Sequence, residues 1–128
     1  MKESFIAEYI WLDVGGNLRS KSRTIIFSNW ENVFNAAEYK SWNFDGSSTG
    51  DANGWDSEII ISPVAVYDDP FRGGNHKLVL CETYLPNGEK TPANKRREAD
   101  NIFNKYKDTK PWYGLEQEFF IMDSRGFR

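Results

Sequence analysis

Apolar and polar side chains alternate through the first 27 residues in a way that predicts a β-hairpin. Residues 5–13 are rich in aromatic and β-branched side chains and lead into Gly15 and Gly16, which is typical of a strand that enters a tight turn. In residues 17–27, smaller side chains alternate with the basic residues Arg19, Lys21 and Arg23. This alternation fits a half-exposed second arm of the hairpin.

A helical spacing of apolar side chains replaces the alternation after residue 29. The apolar positions recur at i, i+3, i+4 and i+7 and are Trp30, Val33, Phe34 and Ala37. Ser28 or Asn29 can cap the amino end of such a helix. We therefore predict a short amphipathic helix whose apolar stripe packs on the hairpin.

The middle of the chain predicts a long loop followed by two strands. Residues 42–55 are dense in Gly, Ser, Asp and Asn, a composition that favours a loop over a regular strand. Loops of this length in compact domains are often functional. Residues 58–67 predict an apolar strand that Pro63 either places at a sheet edge or bends. Residues 77–84 predict a further strand, which ends at the turn residues Pro86, Asn87 and Gly88.

The pattern changes after Gly88. Thr91 can cap a helix that begins at Pro92 and runs to residue 107, and its apolar stripe comprises Ala99, Ile102, Phe103 and Tyr106. Pro111 ends the helical pattern, and residues 114–122 predict a last strand.

This order of elements predicts an α+β fold. A hairpin, a helix and further strands on the same sheet are the elements of a β-grasp domain, although several other small α+β folds fit the same order. We predict a β-grasp domain over residues 1–88 and a separate structural unit over residues 89–128.

Composition narrows the classes of function. The net charge of -3 provides no basic surface for nucleic acid. Cys81 is the only cysteine, which excludes an internal disulfide and a cysteine-based zinc site, and its apolar surroundings predict a buried, inert thiol. His76 is the only histidine and is expected to face solvent in a turn. Neither a signal peptide nor a membrane-spanning run is visible, so a cytoplasmic protein without membrane partners is expected.

Two glutamates near the end of the chain suggest a cation site. Residues two apart on a strand point to the same face, so Glu116 and Glu118 would stand side by side. A divalent cation relieves the repulsion between such carboxylates, and oxygen ligands suit Mg²⁺ or Mn²⁺ better than zinc. On spacing alone, however, the solvated face of a sheet is the more common explanation.

Longer motifs connect these features to a known family. The chain carries FDGSSTG at residues 44–50, DPFRGGN at 69–75 and PWYGLEQEFF at 111–120. In this order and spacing they resemble the amino-terminal part of eukaryotic-type glutamine synthetases, and the resemblance covers nearly the whole chain. It implies a β-grasp first domain, followed by the start of an α/β catalytic domain over residues 89–128.

The resemblance also implies an activity and roles for particular residues. The family ligates ammonia to glutamate with ATP through γ-glutamyl phosphate. Asp45 would bind and deprotonate ammonium in the site of a neighbouring subunit of a homo-oligomeric ring. Glu116 and Glu118 would hold Mg²⁺ or Mn²⁺, and Trp112, Tyr113, Gly114 and Glu116 would lie at the nucleotide. Alternatively, Asp45 bonds only its own backbone, because Asp-Gly-Ser-Ser is also good turn chemistry.

The resemblance stops short of a complete active site. The family's remaining metal ligands and its phosphate-contacting arginines lie downstream of the motifs seen here. We therefore expect a synthetase fragment that is inactive as this chain alone. The alternative is a stand-alone β-grasp module that docks on a full-length synthetase or another protein without doing chemistry.

Overall fold

Five strands form one mixed sheet in the computed structural model, which describes residues 3–27 and 29–126. The strands are β1 Glu3–Leu12, β2 Leu18–Phe27, β3 Trp42–Asp45, β4 Glu58–Asp68 and β5 Lys77–Tyr84. Their order across the sheet is β2-β1-β5-β4-β3. β1 runs parallel to β5, and the other neighbouring strands are antiparallel. Together with the helix α1, Arg96–Tyr106, this arrangement confirms the predicted α+β class.

The predicted hairpin is confirmed. β1 and β2 pair from Glu3↔Phe27 to Leu12↔Leu18. In the turn, the buried carboxylate of Asp13 accepts hydrogen bonds from the Asn17 N–H at 2.9 Å and from Arg19 Nε at 2.7 Å.

The core lies on one face of the sheet, which curls around it. The alternate β1 residues Phe5, Ala7, Tyr9 and Trp11 are all buried. The ring of Trp11 stacks on Phe44 with centroids 4.7 Å apart, and Tyr9 meets Trp42 edge-on at 5.7 Å. Because β5 and β4 separate β1 from β3 in the sheet, these contacts require the sheet to bend its β3 edge back over β1.

The predicted helix over Trp30–Ala37 is wrong. Two short 3₁₀-helices, Trp30–Asn32 and Ala36–Glu38, replace it. Asn29 caps the first of them through a hydrogen bond from the Glu31 N–H, and the other predicted cap, Ser28, lies outside the described residues. The side chains that pack on the core recur every third residue and are Trp30, Val33, Ala36 and Tyr39. The rings of Trp30 and Tyr39 lie against Phe5 and Phe27 of the hairpin, so the predicted packing on the hairpin is confirmed.

The loop predicted over residues 42–55 begins later than expected. β3 occupies its first four residues and pairs with β4, and a 3₁₀-helix, Gly46–Thr49, follows directly. Trp42 and Phe44 alternate with the polar residues Asn43 and Asp45, which is a strand pattern at the start of a segment with loop composition. The predicted bend at Pro63 is confirmed, because the pairing of β4 with β5 shifts register between Pro63 and Ala65.

The histidine prediction is also wrong. His76 is half-buried, and its Nδ1 accepts a hydrogen bond from the Ile6 N–H at 2.9 Å. The parallel pairing of β1 with β5 begins at Ala7 and Lys77. The imidazole of His76 therefore binds the backbone N–H of the residue just before this pairing begins.

The end of the chain differs most from prediction. The helix begins at Arg96 rather than Pro92, because Thr91 shares a hydrogen bond with the buried Thr83 hydroxyl and is held in a turn instead of capping. The strand predicted over 114–122 is absent, and residues 110–123 form no regular secondary structure. A strand needs a neighbour for its backbone hydrogen bonds, and no described strand lies beside this segment.

Candidate functional site

Asp45 stands at the junction of β3 and the following 3₁₀-helix. Its side chain is exposed and accepts hydrogen bonds from the Ser47 N–H at 2.9 Å and the Ser47 hydroxyl at 2.6 Å. Hydrogen bonds from the hydroxyl and N–H of Ser47, and then from the Ser57 side chain, hold the pKa of the Asp45 carboxyl below its ordinary value. The group is therefore an oriented, ionised carboxylate that remains open to solvent.

Tight packing of the backbone fixes this carboxylate. The Gly46 N–H donates to the Ser57 carbonyl at 2.6 Å, and the Gly46 carbonyl accepts from the N–H groups of Asp51 and Ala52. A Cβ at position 46 would lie 2.7 Å from the Ile59 Cγ1. The sequence therefore requires glycine next to Asp45 for packing, in addition to any turn preference.

A surface cleft of about 320 Å³ opens beside Asp45. Its lining comprises Lys21, Asn43, Phe44, Asp45, Ser57 and Glu58. The Lys21 ammonium donates to the Asn43 carbonyl at 2.8 Å and lies 3.7 Å from the centre of the Trp42 ring. The cleft therefore contains the positive charge of Lys21 beside the negative charges of Asp45 and Glu58, and its electrostatic character is mixed.

Glu116 and Glu118 lie in the irregular segment and are exposed. Within the described part of the chain, no group of three or more histidine, cysteine, aspartate or glutamate side chains is placed to hold a metal ion. The two glutamates by themselves do not fit a complete site for a divalent cation. We therefore derive no chemical step through a metal.

The predicted nucleotide-binding residues are also on the surface. Trp112 is 97% exposed and Tyr113 is 72% exposed, and the Tyr113 ring meets Phe103 of α1 edge-on at 5.5 Å. The cleft beside Asp45 is lined by residues between positions 21 and 58, and none of residues 112–118 belongs to its lining. The chain thus presents two separate candidate surfaces.

One polar cluster was missed by the sequence reasoning. Glu82 on β5 is buried and accepts from Arg96 Nη1 at 2.7 Å, from Arg97 Nη2 at 2.8 Å and from the Tyr84 hydroxyl at 2.6 Å. Burial acts to raise the pKa of Glu82, but the hydrogen bonds from Tyr84, Arg96 and Arg97 outweigh it and leave the pKa lowered. A signal was present, because two adjacent arginines in the first turn of a helix oppose the helix dipole unless a carboxylate compensates them.

The cysteine prediction is confirmed. Cys81 is buried and unpaired, and burial raises the pKa of its thiol to about 12. Such a thiol is an inert part of the core rather than a nucleophile.

Comparison with known proteins identifies relatives across nearly the whole chain. The chain is 52% identical over 123 residues to a chloroplastic glutamine synthetase leaf isozyme of Hordeum vulgare, covering 94% of this chain and 27% of that protein. It is 50% identical over 123 residues to a cytosolic glutamine synthetase isozyme of Daucus carota, covering 94% of this chain and 34% of the relative. A chloroplastic/mitochondrial glutamine synthetase of Arabidopsis thaliana is 50% identical over 123 residues, and the match covers 94% of this chain and 28% of that protein.

These figures set the scope of the similarity. The chain spans about a third or less of the length of the curated relatives it matches. No protein-family model matches the chain. Because the relatives are named both for the cytosol and for plastids, their names do not decide the cellular compartment. Of the helices in the described part of the chain, none has the length and apolar character needed to cross a bilayer.

Proposed function

We propose that this chain, a part-length relative of eukaryotic-type glutamine synthetases, supplies the β-grasp domain (residues 1–88) and the beginning of the catalytic domain (residues 89–128) of a glutamate–ammonia ligase. The observation that carries the proposal is the identity of 50–52% over 123 residues. The sheet topology supports the β-grasp assignment, because a parallel β1–β5 pair lies at the centre of an otherwise antiparallel sheet.

The reaction needs an activated carboxylate and a nucleophilic ammonia. In the proposed sequence, ATP phosphorylates the γ-carboxylate of glutamate, and ammonia then displaces phosphate from γ-glutamyl phosphate to give glutamine. Ammonium must lose a proton before its nitrogen can attack. Asp45 is ionised, held by Ser47 and open to solvent, so it suits the binding of the ammonium cation, and in the proposed reaction it also accepts the proton that ammonium loses.

The second candidate surface would form part of a larger site, together with groups of the rest of a full-length synthetase. We infer that Glu116 and Glu118 contribute carboxylates for Mg²⁺ or Mn²⁺, and that Trp112, Tyr113 and Gly114 approach ATP. Their exposure supports this role, since all five residues are accessible to further protein or ligand. A homo-oligomer in which Asp45 of one subunit faces Glu118 of the next would bring the two surfaces together. We propose the cytoplasm as the location of this assembly.

A specific observation favours the competing role of a binding module without chemistry. The apolar residues of α1 and the following segment are largely exposed, and they include Ile102, Phe103, Trp112, Leu115 and Ile121. An exposed apolar surface of this kind is typical of a protein–protein contact.

A chimera separates the two roles. We expect glutamine formation from ATP, glutamate and ammonia when this chain replaces the aligned region of the Hordeum vulgare leaf isozyme, and no activity from the isolated chain, because catalysis needs the whole set of charged groups in place. In the same chimera, Asp45→Asn keeps the size and the hydrogen-bond acceptor of the side chain but removes its charge.

The matched control is Asp56→Asn, which changes an exposed acid in the loop after Gly50. We expect Asp45→Asn to lower kcat/KM for ammonium by roughly 10²–10⁴-fold and Asp56→Asn to leave it unchanged. A folded chimera without activity, together with binding of the isolated chain to an intact synthetase, would instead establish the binding-module role.

A further inference from the structure

The attachment of α1 to the sheet depends on few contacts. No residue of the helix is buried, so burial of apolar surface contributes little to its position. At its amino end, Arg96 and Arg97 reach back to the carboxylate of Glu82. The Asn94 amide also donates to the Thr83 carbonyl at 3.1 Å.

Glu82, Arg96 and Arg97 form a bidentate ion-pair cluster, called the clasp below, in which one carboxylate binds two arginines. Its Oε1 accepts from Arg96 at 2.7 Å, and its Oε2 accepts from Arg97 Nε at 2.9 Å and Nη2 at 2.8 Å. Each arginine therefore binds a different oxygen, which restricts rotation of the amino end of α1 relative to β5. Charge-assisted bonds to a planar guanidinium are strong and directional.

The helix transmits this restriction to the segment that follows it. Phe103 lies two turns beyond the arginines on α1, and its ring contacts Tyr113 at 5.5 Å. Tyr113 is three residues before Glu116. A contiguous set of contacts thus runs from β5 through α1 to the predicted nucleotide-binding segment.

We propose that Glu82 is a positioning residue: through Arg96 and Arg97 it fixes the direction in which α1 leaves the sheet, and through α1 it sets the location of Tyr113 and Glu116. The link from Glu82 to α1 stands on the geometry alone. Its consequence for the nucleotide rests on the proposed function. Loss of the clasp should therefore change the orientation of α1 first and the use of ATP second.

Spin labels on the 128-residue chain test the first step. Cysteines introduced at the exposed positions Ser22 on β2 and Asn104 on α1 accept nitroxides, whereas the native Cys81 is buried. Double electron–electron resonance then measures the distance between sheet and helix. We expect a shifted and broader distance distribution for Glu82→Gln than for the unsubstituted chain.

Two further variants keep the result interpretable. Arg97→Gln removes one arm of the clasp from a partly exposed position and should broaden the distribution even if Glu82→Gln folds poorly. Asp69→Asn is the matched control, because Asp69 is another buried carboxylate paired with an arginine, Arg72, but directly after β4. It should lower thermal stability without changing the distribution. Distributions for Glu82→Gln and Arg97→Gln that superimpose on the unsubstituted one would overturn the proposal.

The second step is tested in the active chimera. Glu82→Gln should raise the KM for ATP roughly two- to thirtyfold, while Asp69→Asn leaves that KM unchanged. A merely structural defect would lower the amount of active enzyme, and so the apparent kcat, without changing KM. An inactive unsubstituted chimera would refute the proposed function, but the spin-label result would still decide whether Glu82 orients α1.

Discussion

Gly46 shows how one residue without a side chain holds a candidate catalytic group. Its N–H and carbonyl bind four backbone groups of the surrounding loop, and its missing Cβ leaves the space that Ile59 fills. The orientation of Asp45 thus depends on the packing of the adjacent Gly46 and on the hydrogen bonds that Ser47 donates to the Asp45 carboxylate. The two interpretations of Asp45 are compatible, because the hydrogen bonds to its own turn leave the carboxylate exposed.

Replacing this glycine should loosen the whole loop. We expect Gly46→Ala to lower the free energy of unfolding by about 1–3 kcal/mol, because Ile59 is fully buried and cannot move away from the added methyl group without strain. Urea denaturation of the isolated chain measures this. Gly54→Ala is the control, since a Cβ there meets nothing within 4 Å, and its unfolding midpoint should match that of the unsubstituted chain. Equal midpoints for the two variants would show that the loop accommodates a side chain at position 46.

At the scale of elements, the segment 30–39 shows how a correct group of residues can predict the wrong helix. An α-helix predicts contact positions at 30, 33, 34 and 37, whereas 3₁₀ geometry repeats every three residues and selects 30, 33, 36 and 39. Asn29 and Asn35 each cap one short turn. Two caps six residues apart interrupt the segment before an α-helix can extend through it.

Neighbouring alanines test the three-residue repeat. Ala36 packs against the core and Ala37 is exposed, which is the reverse of what the α-helical stripe predicts. Ala36→Glu should therefore cost about 1–3 kcal/mol of unfolding free energy, and Ala37→Glu less than about 0.5 kcal/mol. Thermal or urea melts of the two variants provide the comparison. A larger loss for Ala37→Glu would restore the α-helical arrangement.

At the scale of the whole molecule, the chain divides into a well-packed sheet and a loosely attached end. In the part of the chain that the structure describes, the buried apolar residues all lie between Phe5 and Cys81, while every residue from 101 to 126 is exposed. A helix of eleven residues has little stability of its own. The boundary between the two parts lies near the domain limit predicted at residue 88, which stays a prediction.

Hydrogen exchange should reveal this division. We expect amides of residues 96–122 in the isolated chain to exchange rapidly, because they open without unfolding the sheet. Amides in residues 5–11 and 78–83 should exchange more slowly, since they belong to paired central strands. Mass spectrometry of peptides from the two regions measures the difference. Equal protection of both regions would mean that α1 and the following segment are held as firmly as the sheet.

The amino-acid sequence alone determined the features that depend on local pattern. The alternation in residues 5–27 predicted β1 and β2, the apolar run 77–84 predicted β5, and its composition predicted the buried, inert Cys81. These elements need only a two-residue repeat and nearby turn residues, and such signals are present in any short window of the chain. The motifs around Asp45 and Glu116 likewise predicted the similarity to glutamine synthetases that the comparison with known proteins finds.

The tertiary structure decided the features that depend on distant partners. β3 forms because β4 lies beside it and because Tyr9 and Trp11 receive its aromatic rings, whereas residues 114–122 have strand composition but no described neighbour to accept their hydrogen bonds. The adjacent arginines signal the need for a carboxylate, but only folding identifies Glu82, fourteen and fifteen residues away, as that partner. Hydrogen bonds and ion pairs between distant residues depend on which elements lie side by side in the fold. A short repeat of apolar and polar residues does not specify those neighbours.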